Sequence, residues 1–99
     1  MKYSVVIAYS AQAEFENFDA RWQSALLRAI REYLEREPTK ESKSSIKRLI
    51  GMRQPQYRLR VDNVRVFYDV DEEQGRVEIL GFVFKAHANE WLQKHGEFV

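Results

Sequence analysis

Between Phe15 and Tyr33 the bulky apolar residues recur every three or four positions: Phe15, Phe18, Trp22, Leu26, Ile30 and Tyr33. That is the repeat of a helix with one buried face. Asn17 or Asp19 is placed to interrupt it, so the stretch reads as one long helix or two short ones, with Ser10 a plausible N-cap before it. Pro38 ends the run, because the residue before a proline is pushed out of the helical region. Ahead of it, Lys2 to Tyr9 is β-branched and loosely alternating, the pattern of a first strand. From Tyr57 the period drops to two. Tyr57, Leu59 and Val61 alternate with Arg58 and Arg60, and Val64, Val66, Tyr68 and Val70 alternate with Arg65, Phe67, Asp69 and Asp71. Asp62-Asn63 between them can take the positive φ of a type I′ hairpin turn. A second turn falls within Glu72–Gly75. Val77–Phe84, nearly all apolar, is a strand inside its sheet. Ala88, Trp91 and Leu92 mark a last helix that stops at Gly96 as its C′ residue. Residues 39–55 are polar and basic and read as a loop, with a short turn of helix at Ile46–Ile50 ended by Gly51. The pattern predicts an α+β domain: an N-terminal strand, one or two helices, a three-stranded antiparallel meander and a C-terminal helix, with the helices on one face of the sheet.

A chain of 99 residues is the length of one domain, here 1–99. The absence of cysteine excludes a disulfide scaffold, a thiolate zinc site and a cysteine nucleophile. No apolar run approaches the ~20 residues of a membrane span. The opening Met1-Lys2-Tyr3-Ser4 lacks the form of a signal peptide, so the expected location is cytoplasmic, with no membrane partner. Formal charge is +1, but its distribution is uneven. Residues 40–65 carry eight basic side chains (Lys40, Lys43, Lys47, Arg48, Arg53, Arg58, Arg60, Arg65) against Glu41 and Asp62, a local excess of +6. Such clusters, not totals, set the field a phosphate feels.

Arg58 and Arg60 point the same way from one strand. A tight turn at Asp62-Asn63 sets Arg60 opposite Arg65 and Arg58 opposite Phe67, so three guanidiniums converge on one face. The commoner use of such a face is simple solvation, with Asp69, Asp71 or Glu78 as counterions. The alternative is a polyanion site, since guanidinium matches phosphate with a bidentate fork. Lys47, Arg48 and Arg53 extend the field, and Tyr57 and Phe67 offer stacking surfaces for unpaired bases. His87, after Lys85, is placed to act as a general acid or base, although a lone surface histidine is more often a bystander. Asp69, Asp71, Glu72 and Glu73 resemble a metal site only in number, and no phosphate-binding glycine loop or hydrolase motif is present.

The stretch Pro55-Gln56-Tyr57-Arg58-Leu59-Arg60-Val61-Asp62-Asn63-Val64-Arg65-Val66-Phe67-Tyr68 resembles the signature hairpin of the RelE/ParE superfamily of toxins, a Tyr-Arg-Leu-Arg-Val strand, a short turn and a Tyr-Arg-Val-Ile-Tyr strand. Ile46-Lys47-Arg48-Leu49-Ile50-Gly51 is similar to the family's approach to that hairpin, and Val77–Val83 followed by a helix also fits. The resemblance implies a small toxin of a type II toxin–antitoxin pair with an RNase-like α+β fold. RelE-type members cleave mRNA in the ribosomal A site, whereas ParE-type members bind DNA gyrase and are not nucleases. It further implies that Arg58, Arg60 and Arg65 hold and polarise a scissile phosphate and that Lys85 or His87 moves protons. Lys47, Arg48 and Arg53, with Arg60, are expected to bind RNA through the charge cluster they form. The family's usual Tyr position after the last strand is occupied by Leu92. No metal or other cofactor is implied. The implied partners are an acidic antitoxin, the ribosome and mRNA. The alternative within the resemblance is a gyrase inhibitor or a catalytically weak binding protein.

Overall fold

The computed structural model describes residues 2–99. The first strand, β1 (Ser4–Ile7), leads into α1 (Tyr9–Glu16), and α2 (Ala20–Ala29) continues through a π-helical turn at Ile30–Leu34. The aromatic-rich stretch is therefore two helices, and Asp19 divides them. Its Oδ1 accepts a hydrogen bond from the Trp22 amide at 2.9 Å, satisfying one of the free N–H groups at the start of α2. Gln23 ties the pair together by donating to the carbonyls of Phe15 and Phe18. Ser10 is not the cap expected from sequence. It lies within the first turn of α1, whose N-cap residue is Ala8 with no side-chain capping bond.

The segment expected to be a loop holds two short strands, β2 (Ile46–Arg48) and β3 (Met52–Gln54). The expected helical turn at Ile46–Ile50 does not form, because β2 pairs antiparallel with β4 (Tyr57–Val61) and this tertiary pairing outweighs local propensity. The hairpin continues into β5 (Val64–Asp71), followed by β6 (Arg76–Phe84), a 3-10 turn at Lys85–His87, α3 (Ala88–His95) and β7 (Glu97–Phe98). The main sheet has the order β1-β6-β5-β4-β2, so β6 is an inner strand as its apolar run predicts. All neighbours are antiparallel except β1 and β6. β3 and β7 form a separate two-stranded ribbon. Gly96 adopts φ −84° and ψ 158°, so it is not the left-handed stop expected of it; a Cβ there would meet Met52 and the Leu92 carbonyl.

A register shift between Phe67 and Tyr68 leaves Leu80 of β6 without a partner, Phe67 facing Gly81 and Tyr68 facing Ile79. The bulge switches which residues of β6 face the helices. Val77 and Ile79 point into the core before it, and Phe82 does so after it. Leu26, Ile30, Leu34, Ile46, Leu59, Val64, Val66 and Tyr68 complete that core between the sheet and α1–α2.

Tyr68 is fully buried and its hydroxyl donates to the Pro38 carbonyl at 2.7 Å. Burial, with a smaller contribution from Tyr57, raises its pKa above the usual value of 10.0. Because the folded pKa is the higher one, this group's contribution to stability is fully present below pH ~10 and is lost as pH rises further, where the unfolded phenol ionises first. Tyr68→Phe orphans the Pro38 carbonyl and is expected to lower unfolding free energy by about 1–3 kcal/mol. Urea melts at pH 7 and at pH above 10 check this: the variant's deficit should shrink at the higher pH.

Candidate nucleic-acid interface

The hairpin register is Val61 with Val64, Arg60 with Arg65, Leu59 with Val66 and Arg58 with Phe67. Its tip is tight because Asp62 takes a φ of 51°, a conformation its short polar side chain tolerates. Asn63 does not share the positive φ, so the turn is not type I′. On the other side of β4, Lys47 pairs with Arg58. Residues directly opposed across strands share a face. Leu59, Val64 and Val66 enter the core, so Lys47, Arg58, Arg60 and Arg65 stand together on the face turned away from α1 and α2.

Among the described residues none of them forms an ion pair. The ion pairs there are Lys2–Glu35 and Lys40–Glu37, neither of which involves this face. Asp69, a candidate counterion, has one oxygen accepting from Gln54 Nε2 at 2.7 Å and the other from the Gln56 amide at 2.8 Å. Arg65 is only 8% exposed, and its Nη1 donates to the carbonyls of Asp62 and Val64 at 2.8 and 3.2 Å. Arg58 is half-buried and makes one long bond, 3.4 Å, to the Ser45 carbonyl. Burial lowers the pKa of both guanidiniums from the usual value; Arg60 adds to this at Arg58, and Arg58 and Arg60 add to it at Arg65. Both guanidiniums remain cations at neutral pH. Like charges held this close destabilise one another, and a bound phosphate would relieve that repulsion.

The other sequence candidates are distributed differently. Arg48 pairs with Tyr57, so it sits on the opposite face from Lys47 and lies over the Tyr57 ring at 5.1 Å. Arg53 is exposed on the β3–β7 ribbon, on the side away from buried Met52. These two are not part of the arginine cluster, because one residue along a strand reverses the face. Lys85 and His87 are both exposed, in the 3-10 turn after β6. The Lys85 amide donates to Asn63, which fixes this turn beside the hairpin tip.

Sequence reasoning missed what borders the cluster. α3 does not join α1 and α2 on their side of the sheet; it crosses to the arginine side. Trp91 stacks on Phe67 with ring centroids 4.9 Å apart and lies directly over Gly81, where a Cβ would collide with the indole. Glu14 of α1 secures the arrangement: Oε1 accepts from the Phe82 amide at 3.0 Å and Oε2 from Trp91 Nε1 at 2.9 Å. The signal available was a lone glycine in an apolar strand, which marks close approach of another group.

No family model and no curated protein sequence matches the chain. Solved structures do. A chain of the archaeal RelE–RelB complex from Pyrococcus horikoshii OT3 superposes with a TM-score of 0.69 at 26% identity, covering 86% of this chain and 97% of that one. A chain of the Mycobacterium tuberculosis RelBE2 toxin–antitoxin complex gives 0.65 at 24% identity, with 85% and 99% covered. The isolated Escherichia coli RelE toxin gives 0.65 at 16% identity, with 93% and 97% covered. The mixed five-stranded sheet with two helices behind it is thus the α+β fold of known RelE structures. In fold the chain is RelE-like. Among the described residues no helix is long and apolar enough to cross a membrane.

Proposed function

We propose that the chain is the toxin of a type II toxin–antitoxin pair and that it cuts mRNA on the ribosome. The observation that carries this reading is the cluster of Lys47, Arg58, Arg60 and Arg65 on one face, without a carboxylate partner among the described residues. In the proposed reaction the 2′-hydroxyl of RNA attacks the adjacent phosphorus. Its oxygen–phosphorus bond forms as the bond to the 5′-oxygen of the next nucleotide breaks, leaving a 2′,3′-cyclic phosphate. The hydroxyl proton goes to a base and the leaving oxygen takes a proton from an acid; His87 and Lys85, beside the hairpin tip, are the side chains assigned to these transfers. Arg58 and Arg65 stabilise the charge that grows on the phosphoryl oxygens, the contribution that usually dominates such reactions. No metal enters this scheme.

An acidic antitoxin segment is the proposed partner, since the same face offers complementary charge. RelE–RelB and RelBE2 neighbours are toxin–antitoxin complexes, which supports that assignment. The test is primer-extension mapping of mRNA on translating ribosomes after adding the purified chain. Cuts confined to the codon in the A site are the expected result. Intact mRNA with inhibited gyrase would overturn the nuclease reading in favour of a ParE-like inhibitor.

A further inference from the structure

The end of the sheet beside the hairpin tip carries a feature that the proposed reaction does not use. β1 stops pairing at Ile7 with Ile79, so β6 runs on past it to Phe84. The end of α1 and the start of α2 lie against this overhang through aromatic contacts. Phe15 meets Phe82 at 5.3 Å, Phe18 meets Phe84 at 5.0 Å and Trp22 meets Phe84 at 5.7 Å. A cavity of about 260 Å³ opens there, with Asn17, Phe18, Val83, Phe84 and His87 in its walls. Phe84 is 41% exposed although it is a large aromatic. Glu14 at the back is already engaged by Phe82 and Trp91, so it braces the wall.

The cavity shares a wall residue with the strand that pairs with the arginine hairpin. Val83 in its wall is the direct strand partner of Arg65, one strand spacing of ~4.8 Å away. We propose that this slot takes one unpaired nucleobase of an RNA strand whose phosphates lie on Arg58, Arg60 and Arg65. The inference rests on the RNA reading of that face. A volume below the ~300–1,000 Å³ of drug-sized pockets suits one planar ring system. Phe84 and Phe18 supply ring faces on which any base can stack. Asn17 supplies an amide with both donors and an acceptor for a base edge. His87, which also lines the cavity, is exposed in the turn beside the hairpin tip.

The test uses single-stranded 2′-O-methyl RNA, which cannot be cleaved, carrying 2-aminopurine at one position in turn. The expected result is Arg58-dependent binding with fluorescence quenched at one position only. Phe84→Leu should then weaken binding about 5- to 100-fold, and Asn17→Ala should level the affinities for homopolymers of different bases. Circular dichroism confirms that both variants fold, and Asn17, being exposed, provides a readout independent of packing at Phe84. Arg58-dependent binding without quenching at any position, or with Phe84→Leu and Asn17→Ala both unchanged, would overturn the slot and leave the arginine reading standing. Binding indifferent to Arg58→Ala would overturn both.

Discussion

Arg58→Ala is expected to slow the proposed cleavage about 100- to 1,000-fold, the usual cost of removing one preorganised donor from a developing oxyanion, while leaving stability nearly unchanged. The two halves of this expectation have one cause. Arg58 makes a single 3.4 Å bond to the Ser45 carbonyl and has no carboxylate partner among the described residues. Burial, and after it Arg60, works against its protonated form. Deleting it removes repulsion together with a weak contact, and the two changes nearly offset. Arg65 differs. It is buried and holds the hairpin through Asp62 and Val64, so Arg65→Ala should lose stability as well as activity, by about 1–3 kcal/mol for the two orphaned carbonyls. Arg60→Ala, removing an exposed cation directly opposite Arg65, should leave stability unchanged or slightly higher. Single-turnover rates on ribosomes and urea midpoints for the three variants separate these effects. Wild-type cleavage by Arg58→Ala would remove that arginine from the proposed site. A loss of activity matched by a loss of stability would make the cluster a structural feature.

The hairpin was legible in the sequence because its signal is local. Alternation from Tyr57 to Asp71, broken only at Phe67, around a two-residue turn leaves one register, and that register puts Arg58, Arg60 and Arg65 on one face. The helix break was half legible: Asp19 was a candidate, and only the bond to Trp22 decides it. β2, β3 and β7 were not legible, since strands of two or three residues carry too few positions to establish a period. Without β2 there was no means of seeing that Lys47 joins the cluster and Arg48 leaves it. The placement of α3 was hidden for another reason. Trp91 alone of its residues is buried, and its amphipathic pattern says that it packs but not on which face. The bulge at Leu80 settles that, by turning Gly81 to the arginine side where an indole can reach it.

That notch leads to the larger stability effect. Gly81→Ala is expected to destabilise the protein by about 1–3 kcal/mol although alanine suits a strand better than glycine. The added Cβ would overlap the Trp91 ring, which has no room to retreat: it is stacked on Phe67 and tethered to Glu14. If the clash instead expels α3, Phe67, now 1% exposed, meets water, and a helix of eight residues does not persist alone. Trp91→Ala removes the same packing outright and should cost about 3–5 kcal/mol. The two substitutions should not add. Once the indole is gone, a methyl group at position 81 has nothing to strike. Gly81→Ala made in the Trp91→Ala background should therefore be neutral or mildly stabilising, a coupling of about 1 kcal/mol or more by double-mutant cycle in urea. Additive costs would mean that glycine at 81 serves the strand and not the indole, and the account of why α3 lies on the arginine side would fail with it.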